Sequence, residues 1–391
     1  MAALSGRDVV CVGFAEWDTE LWTNQHHLMS RLAIDNRVLF VESLGLRRPQ
    51  LTAGRDLRRI ARRLRSGLRP PRTSAEGVRV LSPLVLPLHG NPVVRRLNAT
   101  ILPRLVKRGA GAMHRPVLWS YVPQAEVLLD ALDPSLVVYH CVDDIAVQDG
   151  IDFDAFRAAE ARFAARADLV LCSAPALAER LRALHPDVLL APNVADTAAF
   201  AAALADGPVD PALAALPAPR IVFTGAIAAK KLDLDLLAGV ARARPDWSLA
   251  LVGPVGLGDP GTDVSALAAL PNVHLLGFRR HEELPRVLRG ADAALIPYRL
   301  TDLTASIFPM KVYEYLAAGL PVVATPLPAI RGVDAVTVAA DAAQTVAALE
   351  RLMAEDDLAR RAGRSAAAST NSWDARLAEI GAAVARVEAG R

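Results

Sequence analysis

The feature that most constrains this chain is an alternation, met twice, between short β-branched runs and longer amphipathic stretches. Such alternation builds parallel sheets covered by helices. The first block places strands at Val9–Gly13, Val38–Glu42, Val117–Val122, Leu136–Cys141, Leu169–Ser173 and Val188–Ala191, with helical patterns at Leu21–Ala33 and Phe156–Ala167. The stretch Ala205–Arg220, crowded with Pro and Asp, then breaks the pattern as a connection between domains does. A second block restarts with strands at Ile221–Thr224, Leu249–Val252, Val273–Leu276, Ala294–Pro297 and Val322–Thr325. The expectation is an α/β chain of two Rossmann-like domains, residues 1–205 and 206–371. A closing helix over 372–391 is expected near the cleft or back on the first domain. Two open sheets in tandem are expected to face each other across a deep interdomain cleft, with ligands at the carboxyl ends of their strands.

Composition removes several other classes. A length of 391 residues exceeds one ordinary core and suits two domains. With 52% hydrophobic and 22% charged residues, the chain is globular rather than disordered. No apolar run approaches the ~20 residues of a membrane span. The start, MAALSGRDVV, lacks the basic-then-apolar pattern of a signal peptide. Cys11, Cys141 and Cys172 lie far apart in apolar runs and read as buried free thiols, so a reducing cytoplasm is the expected location. The net charge of +2 is uneven: residues 1–115 carry 20 Lys and Arg against 8 Asp and Glu, a local +12 that leaves −10 for the remainder.

The most informative segment is Asn272–Pro328. A strand ends at Gly277, helical residues follow over Glu282–Arg289, and a second strand ends at Pro297 before the polar loop Arg299–Ser306. Pro309 is expected to open a helix, since the first helical position loses nothing by lacking an N–H. Met310 and Lys311 then offer unpaired amides at a helix start, which attracts phosphate. Lys311 adds a full positive charge where it opposes the helix dipole, a local penalty that an anion relieves. One turn on, Glu314 is placed to accept hydrogen bonds from a vicinal diol such as a ribose. Gly319 ends the helix and Pro321 starts the next strand.

These residues resemble the nucleotide-sugar signature of the GT-B glycosyltransferases, specifically the retaining, family-4-like (group 1) enzymes. TGA at Thr224–Ala226, LVGP at Leu251–Pro254, NVHLLGF with ELP, and PMKVYEYLAAGLPVVAT carry the likeness, which is close over residues 220–330 and loose in the first block. The resemblance implies a donor site in the second domain, with Gly225 and Gly253 in its turns and Glu314 on the ribose. It implies Lys231, with Lys230 beside it, on the diphosphate, and Met310 and Lys311 in the same anion cradle. Base contact is implied through the backbone around Phe278 and Arg279. Of two acidic residues expected eight apart, the first falls at Ser306, which leaves a hydroxyl of Thr304 or Ser306 for the donor sugar. The arginine expected after the first strand of this domain is replaced by Ala226. The implied chemistry needs no metal and no cofactor, because cations and amides stabilise the departing nucleoside diphosphate.

In the first domain, YHCVDD ends a strand at the predicted cleft, so His140, Asp143 and Asp144 are candidate catalytic groups. The competing reading of the aspartates is a helix N-cap. His27, in WTNQHHL, either meets the acceptor or the donor phosphates or is an ordinary surface histidine. Two D-x-D patterns, Asp152–Asp154 and Asp233–Asp235, stand at helix starts and read as caps rather than metal ligands. GPVGLGDPG at Gly253–Gly261 is a poor dinucleotide loop, since no helix starts in register behind it.

Residues 47–72 hold ten arginines and one acid, Asp56. Within residues 55–69 the apolar positions share one helical stripe while Arg58, Arg59, Arg62 and Arg63 lie elsewhere. That pattern suits an anionic membrane surface, with ~1 kcal/mol per basic residue near headgroups; the alternative is a surface helix packed on its own domain. No aromatic interleaving points to nucleic acid. On the resemblance, the expected function is sugar transfer from a nucleotide-diphosphate-sugar to a glycan or lipid-linked acceptor, with retention, in cell-envelope or exopolysaccharide assembly. The protein is expected in the cytoplasm, peripheral on the inner face of the membrane. Two rivals stay open: a nucleotide-sugar epimerase or hydrolase of the same fold, and a degenerate transferase that only binds.

Overall fold

The computed structural model describes residues 4–43, 70–83 and 92–391. The chain divides into two compact units, Met1–Pro192 with Leu377–Arg391, and Asn193–Arg376. Among the described residues, the first unit carries the strands β1 (Asp8–Val12), β2 (Arg37–Val41), β3 (Arg72–Thr73), β4 (Arg79–Leu81), β5 (Val117–Ser120), β6 (Leu136–Cys141), β7 (Leu169–Cys172) and β8 (Val188–Leu190). They form one sheet in the order β3-β4-β2-β1-β5-β6-β7-β8, parallel except for the β3–β4 pair. The six strands expected from the sequence are all present. β3 and β4 were not expected, since RT and RVL are too short to show any period. The helix Pro92–Ala110 was also not expected. β6 is buried along its whole length, as a central parallel strand covered on both faces must be. Cys11, Cys141 and Cys172 are free and buried in β1, β6 and β7.

The second unit carries β9 (Arg220–Thr224), β10 (Ser248–Val252), β11 (Val273–Gly277), β12 (Ala293–Ile296), β13 (Val322–Ala324) and β14 (Val336–Val338). Their order is β11-β10-β9-β12-β13-β14, and every pairing is parallel. The chain winds from β9 outward through β10 to β11, then returns to the other side of β9 at β12. The carboxyl ends of β9 and β12 are therefore the switch point of this sheet, where loops diverge and leave a ligand crevice.

The division falls at 192/193, ahead of the 205/206 connection read from composition. The stretch from 193 onward is tied to the second unit: the Asn193 side chain donates to Phe308 O at 3.0 Å, and Ala195 bridges to Ser372. The Arg289 guanidinium donates to the carbonyls of Ala202, Ala205 and Pro208. Pro and Asp in this stretch serve local structure, Asp210 accepting from Ala212 and Leu213 at the start of the short helix Pro211–Ala214. At the other end of the chain, Glu388 pairs with Arg7 and Arg391 with Asp168, fastening residues 377–391 to the first unit.

Candidate functional site

The second-unit site is built around two glycines. Gly225 follows β9 with φ +130°, and Gly253 follows β10 with φ +152°, backbone states that favour glycine. A Cβ on Gly253 would meet the Gly225 carbonyl oxygen at 1.9 Å, so the two turns nest backbone against backbone. A Cβ on Gly225 would lie 2.5 Å from Lys311 Cε and 3.0 Å from its Nζ. The Lys311 side chain is thus laid across the Gly225 turn.

Tyr315 holds that arrangement. Its buried hydroxyl accepts the Thr224 amide at 2.7 Å, keying the helix Lys311–Ala317 to the end of β9. This positioning tyrosine was missed in the sequence, where YEYLA reads as ordinary helix. The helix is also shorter than expected. Met310 is its N-cap and Pro309 stands outside it, the Pro309 carbonyl accepting from Val312 in a tight entry turn. A helix this short carries little dipole, so the attraction for an anion rests on Lys311 and on local amides. Among the described residues, the amides of Met310 and Lys311 have no protein acceptor.

Glu314 lies one turn beyond Lys311 and is only 4% exposed. Its carboxylate makes no hydrogen bond or ion pair with the described residues, yet its oxygens are not sealed from solvent. A buried, unpaired carboxylate is costly unless a ligand completes it. Lys231 sits in the loop after β9, half-buried, with no carboxylate partner among the described residues. Ser306, also buried, keeps a hydroxyl with no protein partner among them.

Three expected donor residues are spent elsewhere. Lys230 donates through Nζ to Gly258 O at 2.6 Å and through its amide to Asp259 at 3.0 Å, so it belongs to the loop beside β10. The Lys230 amide, with the Thr262 hydroxyl and the Lys230 charge, holds the Asp259 carboxyl below its usual range. The Thr304 hydroxyl is buried and donates to the Arg299 carbonyl while accepting from the Thr301 amide, leaving Ser306 as the available hydroxyl. The Arg279 guanidinium pairs with Asp210 at 2.7 Å and holds that carboxyl below its usual range. Only the amides of Phe278 and Arg279, which have no protein acceptor among the described residues, remain for contact with a base.

The first unit is described by itself. His140 lies inside β6, 0% exposed and stacked on Tyr121 with ring centroids 4.9 Å apart, so it presents nothing at the strand end. Burial inside a central strand overturns its expected catalytic place. Asp143 is half-buried in the turn after β6, its carbonyl accepting from Ile145. Asp144 makes no side-chain cap, which removes the capping reading. Instead Arg157 donates to Asp144 Oδ2 at 2.6 Å and to Glu160 Oε2 at 3.0 Å. Glu160, 1% exposed, also receives the Tyr139 hydroxyl at 2.7 Å and the Arg180 guanidinium. This network was missed, although Glu160 shares a helical stripe with Phe156 and Phe163, and a charge on an apolar stripe signals a buried partner.

His27 is 4% exposed and edge-on to Trp22, so the surface reading of it fails. Its neighbour His26 accepts the Thr23 amide at Nδ1 and meets the Glu16 carbonyl through Nε2, a neutral tautomer whose pKa burial pushes down. Asp152 and Asp233 each accept an amide three residues on, as helix caps. Arg58, Arg59, Arg62, Arg63 and the rest of 55–69 lie outside the described residues. A shallow cavity of about 580 Å³, lined by Arg7, Arg37 and His114 among others, opens at the amino ends of β1, β2 and β5. It is at the wrong end of the sheet for any of the groups above.

A parallel sheet with glycine turns at its switch point, a lysine laid over one of them and an open carboxylate one turn on offers an anion and a hydroxyl-bearing group complementary partners at one strand end. Residues 218–355 match the family model of group 1 glycosyl transferases. The chain as a whole has the GT-B fold. It is 30% identical over 228 residues to TuaH of Bacillus subtilis (strain 168), a glycosyltransferase named for teichuronic acid biosynthesis. That match covers 55% of this chain and 56% of the relative, little more than half of each.

Solved structures align along nearly the whole chain. Sucrose-phosphate synthase from Thermosynechococcus elongatus superposes with TM-score 0.68 at 15% identity, covering 98% of this chain and 100% of that one. Anabaena HepE in complex with UDP-glucose gives 0.63 at 13%, over 98% and 100%. Alpha,alpha-trehalose 6-phosphate synthase from Burkholderia multivorans gives 0.66 at 13%, over 99% of both. At such identities the likeness is one of fold.

Proposed function

We propose that the chain is a retaining, metal-independent glycosyltransferase that moves a sugar from a nucleotide-diphosphate-sugar to a glycan or lipid-linked acceptor in cell-envelope polysaccharide assembly. The observation that carries this reading is Lys311 lying across the Gly225 turn, with no carboxylate partner among the described residues. As the glycosidic bond to the donor phosphate breaks, negative charge grows on the leaving diphosphate. In this reading Lys311, Lys231 and the amides of Met310 and Lys311 meet it without reorganising. Glu314 takes the ribose diol and Ser306 a hydroxyl of the donor sugar. Retention follows from attack on the same face from which the diphosphate leaves, and no protein nucleophile is assigned. Asp143 and Asp144 of the first unit are the proposed catalytic groups, with His27 proposed on the acceptor side.

The relative named for teichuronic acid biosynthesis supports the envelope setting, and the HepE complex with UDP-glucose supports the donor class. No helix among the described residues is long and apolar enough to cross a membrane. Residues 55–69 are proposed to hold the protein on anionic lipid. Flotation with anionic liposomes at low salt tests this, and protein left in the soluble fraction refutes it.

A thermal-shift panel of UDP, GDP, dTDP and ADP tests the central reading. A nucleotide at a hundredfold its dissociation constant adds ~2.7 kcal/mol, worth roughly 5–10 °C for a unit of this size. No shift with any of the four removes the reading. Turnover of donor without acceptor would instead favour the epimerase or hydrolase.

A further inference from the structure

Lys311 and Lys231 are not the whole positive charge at the switch point. Arg299 follows β12 after Pro297 and Tyr298, and its backbone is fixed on both sides. Its amide donates to the Lys231 carbonyl at 2.8 Å, and its carbonyl accepts the buried Thr304 hydroxyl. Tyr298 just before it bridges to Leu232. The loop from Gly225 to Lys231 is thereby stitched to the end of β12.

The Arg299 guanidinium folds back over that loop. One nitrogen stands 3.4 Å from the Ala229 carbonyl, and this is its sole protein hydrogen bond among the described residues. No described carboxylate pairs with it. Arg299, Lys231 and Lys311 thus hold three uncompensated positive charges around linked strand ends. Like charges on linked backbone repel, and three of them without a described carboxylate partner make a field suited to an anion.

The three are also ordered. Glu314, suited to a ribose, stands one turn beyond Lys311, and Lys311 lies over Gly225. Lys231 and Arg299 lie at the far end of the same loop. A nucleotide with its ribose at Glu314 and its first phosphate beside Lys311 would direct its second phosphate toward Lys231 and Arg299. We infer that Arg299 binds the distal phosphate of a nucleoside diphosphate, so that this exposed arginine makes the site select diphosphate over monophosphate. The inference rests on the donor site proposed above. Its planar fork can hold two phosphate oxygens at once, which a lysine cannot.

Calorimetric titration of the full chain with UDP, UMP, GDP and GMP tests it, using whichever base binds. Arg299→Gln is expected to weaken the diphosphate by about tenfold or more, the loss of a charge-assisted bond, and to leave the monophosphate within about twofold. Equal weakening of both would make Arg299 a loop-bracing residue and overturn the inference, as would an unchanged diphosphate affinity. Wild-type protein that binds neither UDP nor GDP brings down the donor reading itself and the inference with it.

Discussion

Lys311→Met separates a binding lysine from a structural one, because the two roles predict opposite signs. Methionine keeps a flexible chain of similar length across Gly225, so the contact with the turn survives and only the charge goes. In the unliganded protein that charge has no carboxylate partner among the described residues and sits in the first turn of Lys311–Ala317, beside unpaired amides. Removing a cation from such a position returns ~0.3–1 kcal/mol in an ordinary helix, and the lower end applies to so short a one. For a unit of this size, that raises the melting temperature by roughly 1–2 °C. With nucleoside diphosphate the sign reverses. A hydrogen bond to a charged partner contributes about 1.5–3 kcal/mol, so the dissociation constant rises about 10- to 150-fold. Differential scanning fluorimetry without ligand and calorimetry with UDP or GDP read the two quantities on one preparation. A variant that melts lower and binds the diphosphate as tightly as wild type would refute the cradle.

Three further outcomes follow from the same geometry. Glu314→Gln should remove the preference for a ribonucleotide over its 2′,3′-dideoxy analogue without lowering the melting temperature, since it relieves an unpaired buried charge; an unchanged preference places the ribose elsewhere. Gly253→Ala forces a Cβ to within 1.9 Å of the Gly225 carbonyl. The strained backbone alone costs about 1–3 kcal/mol, and displacement of Gly225 should weaken nucleotide binding too; normal stability would show that the turns do not nest. His26 is held neutral by burial, with its folded pKa below the ordinary 6.5. Its stability contribution is therefore complete above about pH 6.5 and is lost as pH falls through that value toward the folded pKa, where only the unfolded chain takes up a proton. The acid limb of a melting-temperature profile should flatten in His26→Gln, and an unaltered limb would assign it to other groups.

Much of this was legible along the chain because it depends on neighbours in sequence. Every strand expected from a β-branched run formed, since a run such as LVVYHC can bury both its faces only inside a covered parallel sheet. Asp152 and Asp233 read correctly as caps, because a cap reaches amides two or three residues away. The spacing of Lys311 and Glu314 by one turn was equally local. β3 and β4, at two and three residues, carried no period to read.

What only the tertiary structure decided was which polar groups remained available. Lys230 and Lys231 are adjacent and chemically alike, yet the first is consumed by Gly258 and Asp259 while the second faces no described carboxylate. Thr304 and Ser306 offered the same hydroxyl until the loop closed on Thr304. His140 read as a strand-end acid–base group, but its place inside β6 turned it to the aromatic core. Glu160, a charge on an apolar helical stripe whose partners the sequence could not name, became the centre of a buried charge network through Tyr139, Arg157 and Arg180. Local periodicity determines which segments become strands and helices, because their hydrogen bonds and apolar faces repeat over short distances. Whether a side chain meets a ligand or another side chain depends on how loops close and on partners often tens of residues away, such as Gly258 for Lys230 and Tyr139 for Glu160, which packing brings together.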